Sequence, residues 1–91
     1  MITREMIESG YKQGYVRLID NPNDNCVAAQ IGTHWFYFAD IEDQIFQAEE
    51  YKKMYADEVI VDQISSTLDD FFKREFEDEY LYYYHYLSER I

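Results

Sequence analysis

The sequence predicts an α+β domain: a short N-terminal helix, a three-stranded antiparallel sheet, then C-terminal helices packed on one sheet face. Three observations lead there. Apolar residues recur at helical spacing at both ends of the chain, they alternate at strand spacing in the middle, and the period changes at clusters of Gly, Asn, Asp and Pro. With no linker, repeat or low-complexity tract, residues 1–91 read as a single domain, near the size at which one core is only marginally stable. Six Phe, ten Tyr and one Trp answer that constraint, because large rings bury the most surface per residue.

The first helix is expected over Ile2 to Tyr11, with apolar residues at 2, 6, 7 and 11, Thr3 as its N-cap and its end near Gly10. Tyr15 to Ile19 is a β-rich run closed by the turn segment Asp20-Asn-Pro-Asn-Asp-Asn25. Cys26 to Ile31 and His34 to Ala39 are two further strands with only Gly32-Thr33 between them, and Gly in first place suits a type II′ hairpin turn. A two-residue turn fixes the register: Ile31 opposite His34, Ala29 opposite Phe36, Val27 opposite Phe38. Val27, Ala29, Ile31, Phe36 and Phe38 then share the core face, and Ala28, Gln30, Trp35 and Tyr37 share the other. That second face is aromatic, either covered by helix ends or left as an exposed patch.

From Asp40 the pattern changes. Asp40 to Phe46 reads as an acidic helical turn or an irregular segment, and Ala48 to Met54 as a second short turn. Ile60, Ile64, Leu68, Phe71 and Phe72 follow helical spacing in a helix from about Glu58 to Lys73, with Asp57 as N-cap. Phe76, Tyr80, Tyr83, Leu87 and Ile91 continue the pattern, and Tyr80, Tyr83 and Leu87 are read as core. No Gly or Pro interrupts this stretch, yet one helix of more than about thirty residues would overrun so small a domain. A bend is therefore expected near Lys73-Arg74.

The net charge is −11, and −10 of it falls in residues 40–91. Such a field repels nucleic acid and anionic membranes and draws in basic protein surfaces. Within Leu68 to Leu87, six carboxylates and five tyrosines share one helical region. The N-terminus lacks the basic start and apolar core of a signal peptide, and a lone Cys26 gives neither an internal disulfide nor a metal spacing, so a cytoplasmic protein is expected.

Catalysis finds little support. In the hairpin register Cys26 and His34 lie roughly 15 Å apart at about 3.3 Å per residue, too far for a nucleophilic dyad. Cys26 reads as an apolar filler and His85 as a surface or packing residue. Glu75 and Glu79, four apart on a helix, could hold a divalent cation, but no loop supplies further ligands, so no metal and no cofactor are assigned. No Gly-rich phosphate loop is present, and direct nucleic-acid binding is disfavoured because phosphate affinity comes from Lys and Arg.

What remains is a binding surface. Asp69, Asp70, Glu75, Glu77, Asp78 and Glu79, with Tyr82 and Tyr86 on another side of the last helix, form the expected partner-binding set. If the tyrosines are exposed, rigid rings among carboxylates fit an Arg-rich partner; the bland alternative is a solvated face on which they lie flat. A small acidic chain in this element order, carrying Glu75-Phe-Glu-Asp-Glu-Tyr80, resembles anti-CRISPR proteins that block Cas9 and, more loosely, anti-restriction DNA mimics. It is also similar in style to small open reading frames of Gram-positive mobile elements and phage, which carry Trp-Phe-Tyr-Phe strands and Phe-Glu-Asp-Glu-Tyr stretches. The likeness lies in element order and in acidic, tyrosine-bearing composition. It implies an inhibitor in the bacterial host cytoplasm whose carboxylates occupy the surface with which Cas9 grips its PAM duplex, its guide-RNA complex, or another basic channel. The competing expectation is a structural or adaptor protein, monomeric or homodimeric through the aromatic helix or the Trp35/Tyr37 face.

Overall fold

Thr3 opens the first helix. The computed structural model describes residues 1–21, 23, 26–37, 47–73 and 76–90. In α1 (Arg4–Gln13) the Thr3 hydroxyl accepts the Met6 N–H at 3.2 Å, and the Met6 sulfur accepts the Thr3 N–H at 3.4 Å, a capping box with a thioether in the usual Glu position. The expected end near Gly10 is corrected: α1 runs through Gly10 and stops at Gly14, whose φ of 87° is the left-handed turn that only glycine adopts readily. Gly10 serves packing instead. A Cβ there would stand 2.7 Å from Val16 Cγ2 and 3.3 Å from Leu87 Cδ2.

Strands β1 (Val16–Asp20), β2 (Val27–Ile31) and β3 (His34–Tyr37) form one antiparallel sheet in that order. Ile31 faces His34 and Ala29 faces Phe36, as the two-residue turn requires, and Gly32 takes the positive φ of 67°. The Val27–Phe38 pairing and the Asp40 to Phe46 segment lie outside the described residues. Val16, Leu18, Val27, Ala29, Ile31 and Phe36 are all buried on one face. On the other face the register sets Arg17, Gln30 and Trp35 in one row and Ile19, Ala28 and Tyr37 in the next. Ala28 is buried there, whereas Trp35 and Tyr37 are 37% and 38% exposed.

Helix α2 (Ala48–Met54) is tied to the sheet by the Ala48 N–H, which donates to Asp20 Oδ1 at 2.7 Å. Helix α3 (Asp57–Lys73) buries Ile60, Val61, Ile64 and Leu68. It begins at Asp57 itself, so Asp57 lies in the first turn beside Glu58, where both charges meet the positive helix end, and does not stand before the helix as its N-cap. Phe72, expected on the buried stripe, is 55% exposed. The reason is geometric: each four-residue step overshoots a turn by about 40°, so three steps carry Phe72 roughly 120° away from Ile60, while Phe71 at an offset of eleven stays on the stripe.

The expected bend is a separation into two helices. The Phe76 N–H donates to the Phe71 carbonyl at 3.2 Å, and α4 (Glu77–Ser88) starts immediately after Phe76. Phe76 is thus a helix-flanking residue, 49% exposed. Arg74, Glu75 and Ile91 lie outside the described residues. Tyr80, Tyr83 and Leu87 are buried as expected. Tyr83 meets Phe36 edge-on at 5.3 Å between ring centroids, and the Ile2 N–H donates to the Tyr80 hydroxyl at 2.7 Å, so α4 closes over the sheet and the start of α1 together. The Cα radius of gyration, 12.3 Å, is what one domain of this length gives. Among the described residues no helix is long and apolar enough to cross a membrane.

Candidate acidic interface

The expected surface residues fall into two groups that face different neighbours. Asp69 and Asp70 stand exposed near the end of α3, and Glu77, Asp78 and Glu79 stand exposed in the first turn of α4. Because α3 ends at Lys73 and α4 starts at Glu77, the two runs flank one helix junction, the acidic corner. Glu77, Asp78 and Glu79 are held there by sequence-local physics: carboxylates in a first helical turn interact favourably with unpaired backbone N–H groups and the helix dipole. Together with Phe76 they line a shallow depression of about 310 Å³. Glu75 lies outside the described residues.

Four of the carboxylates elsewhere, Glu8, Glu49, Asp62 and Glu89, are paired within the molecule, while Glu5, Asp20, Glu50, Asp57 and Glu58 form no ion pair among the described residues. Arg4 pairs with Glu8 at 2.7 Å and Asp62 at 2.6 Å, Lys12 with Glu8 at 3.0 Å, Lys52 with Glu49 at 3.3 Å, and Arg90 with Glu89 at 3.8 Å. The two cations on Glu8, Lys12 first and then Arg4, hold its carboxyl below the usual range. A groove of about 450 Å³ between α1 and α3 is lined by Arg4, Glu8, Tyr11, Lys12, Asp57, Glu58 and Val61, and its cations are those already engaged. Among the described residues, none of Asp69, Asp70, Glu77, Asp78 and Glu79 takes part in an ion pair. Lys52 binds within its own helix, and Lys73 forms no ion pair among the described residues.

Tyr82 and Tyr86 do not stand free among these carboxylates. They lie half-buried over the β2–β3 turn. The Tyr82 hydroxyl accepts the Thr33 N–H at 3.0 Å and lies 3.0 Å from the Thr33 hydroxyl, and its ring stacks on His34 with centroids 3.7 Å apart. Those Thr33 bonds, side chain first and backbone second, lower the Tyr82 phenol below its ordinary value. Tyr86 lies beneath the Arg90 guanidinium, 3.5 Å from carbon to ring centroid, and Arg90 also donates to the Tyr86 carbonyl at 2.8 Å. This is a clasp between α4 and the hairpin turn, and it spends the two tyrosines on structure.

Sequence reasoning passed over the aromatic side chains that do reach water at the corner. Phe72 packs on Tyr80 at 5.1 Å and Phe76 on Phe71 at 5.8 Å between centroids, each held by a ring beneath while about half its surface stays exposed. The 40° drift of a four-residue stripe is the signal that could have found Phe72. Cys26 is buried, with Asn21 Nδ2 donating to its sulfur at 2.9 Å. Among the described residues no group of three or more His, Cys, Asp or Glu side chains gathers as a metal site. Comparison with known proteins finds no matching family, no matching curated protein and no matching solved structure.

Proposed function

We propose that this protein is a binding inhibitor, not an enzyme, which presents an acidic imitation of nucleic acid to a basic nucleic-acid-binding protein of the bacterial cytoplasm. One observation carries the reading: five exposed carboxylates, Asp69 and Asp70 near the end of α3 and Glu77, Asp78 and Glu79 at the start of α4, flank one helix junction and form no ion pair among the described residues. The 17 residues of α3 span about 25 Å and carry five carboxylates; Asp62 is paired with Arg4, which leaves four, about one per 6 Å. A single DNA strand carries one charge per about 3.4 Å, so the helix is a sparser track of the same sign. The resemblance to anti-CRISPR proteins makes Cas9, or its guide-RNA complex, the partner to test first.

The test measures binding of a labelled PAM duplex by Cas9–guide RNA while the protein is added, beside the variant D69K/D70K/E77K/D78K. Displacement of the duplex by the native protein and not by the variant is expected. Undisturbed duplex binding at tenfold excess removes Cas9 as the target. Equal recovery of partners from a lysate by native and variant proteins, at both low and high salt, removes the mimicry itself. Partial exposure of Trp35 and Tyr37 favours the second reading, a homodimeric adaptor, for which self-association would be concentration-dependent and would not weaken as salt rises, since salt screens the repulsion between like-charged copies.

A further inference from the structure

Charge gives this surface its sign, but Phe72 and Phe76 give it a shape that duplex DNA lacks. Exposed apolar surface rimmed by polar residues marks interaction sites, and these two rings, each about half exposed, lie within the stretch that carries the exposed carboxylates Asp69, Asp70, Glu77, Asp78 and Glu79. Neither ring is loose: the contacts with Tyr80 and Phe71 fix them before any partner arrives, which lowers the ordering cost of binding. Flat rings interleaved with anionic groups are the chemistry of unpaired nucleic acid, whose binding proteins combine a positive groove with stacking side chains. A duplex reader, by contrast, meets phosphates on the outside and has no ring face to stack on.

Resting on the inhibitor reading above, we infer that Phe72 and Phe76 are the anchors of the acidic corner and that its occupant is a single-strand-type groove, with Arg or aromatic side chains set between its cations. An Arg guanidinium suits the depression lined by Phe76, Glu77, Asp78 and Glu79, where a ring face and three carboxylates recognise the same planar cation. Charge complementarity selects the occupant: a second copy of this chain, at −11, would be repelled.

The test uses two synthetic peptides of equal positive charge, one alternating Arg and Trp and one alternating Lys and Gly, each titrated with the full chain by fluorescence anisotropy. The native protein is expected to bind the Arg/Trp peptide at least tenfold more tightly. F72A/F76A should lose that preference while keeping its affinity for the Lys/Gly peptide, and F72L/F76L, which retains apolar bulk without a flat ring, should lose it as well. Circular dichroism and thermal melting establish that each variant is folded, and the leucine pair stands in if the alanine pair is not. Equal binding of the two peptides by the native protein, or a preference that survives both ring substitutions, overturns the anchors and leaves the acidic inhibitor standing. Loss of Lys/Gly binding in D69K/D70K/E77K/D78K tests the charge separately, and unchanged binding there counts against the inhibitor reading.

Discussion

The hydroxyl of Tyr82 occupies the space that a side chain at Gly32 would need. A Cβ on Gly32 would collide with that oxygen and come within 2.8 Å of the Tyr86 ring, and the residue also holds a φ of 67°. Hairpin turn and terminal helix are therefore fitted to each other through a missing side chain. Gly32→Ala should cost about 3 kcal/mol, combining left-handed strain with overpacking. Gly14→Ala has open space around it and only the φ of 87° to pay, so it should cost about 1 kcal/mol. Thermal melts of the two variants check the difference, expected at roughly 4–8 °C for each kcal/mol.

Gly10→Ala improves helix propensity by about 1 kcal/mol yet should destabilise the protein by about the same amount net, because Val16 is β-branched, buried and unable to retreat from a Cβ 2.7 Å away. In a Val16→Ala background the same substitution should become neutral or stabilising. Urea denaturation of the four proteins in that cycle measures the coupling.

Alkaline pH should unfold the protein through Tyr83. Burial first, then the charges of Glu79 and Tyr82, push this phenol well above its ordinary value. A raised folded-state pKa gives stability that is complete below the unfolded pKa of about 10 and declines above it, at up to about 1.4 kcal/mol per pH unit. Tyr11 is raised as well, by burial, Asp57 and Glu49, and adds to the slope. Tyr83→Phe keeps the ring packed against Phe36 and should flatten the decline, as read from urea midpoints between pH 9 and 11.

Tyr82 acts in the opposite sense. Its phenol is lowered by accepting from Thr33, so its contribution grows as pH rises through the folded-state pKa and is fully present above the unfolded value. Tyr82→Phe removes the Thr33 hydrogen bonds and should cost about 1 kcal/mol at neutral pH and more in alkali. A melting-temperature gap between native and Tyr82→Phe proteins that narrows above pH 9 would contradict this.

Reversing Asp69, Asp70, Glu77 and Asp78 to Lys should leave the melting temperature within a few degrees. Lys at 77 and 78 opposes the dipole of α4, Lys at 69 and 70 favours that of α3, and each such exposed interaction is worth about 0.3–1 kcal/mol. A large loss of stability would make the variant useless as a test of binding and would reveal a structural duty for those charges.

The fold class, the hairpin register and the burial of Tyr80, Tyr83 and Leu87 were legible in the sequence because each follows from a local rule: period, turn length, helical face. Gly10 was misread because glycine ends helices by conformation but permits close packing by size, and only the positions of Val16 and Leu87 decide between them. Of the proposed site, the exposure of Asp69, Asp70, Glu77, Asp78 and Glu79 was legible. The engagement of Tyr82 with Thr33 was not, since the two are 49 residues apart and nothing local links them.

Ile2 bonds to Tyr80, Gly10 lies against Leu87 and Gly32 against Tyr82, so each of these fastenings joins a segment made early to one made late. During synthesis at about 5–20 residues per second, the hairpin waits several seconds after Ile31 leaves the peptidyl-transferase centre before Leu87 follows it. Throughout that interval the inner row of Val27, Ala29, Ile31 and Phe36 lacks the rings of α4, and only the last turns of the chain complete its cover.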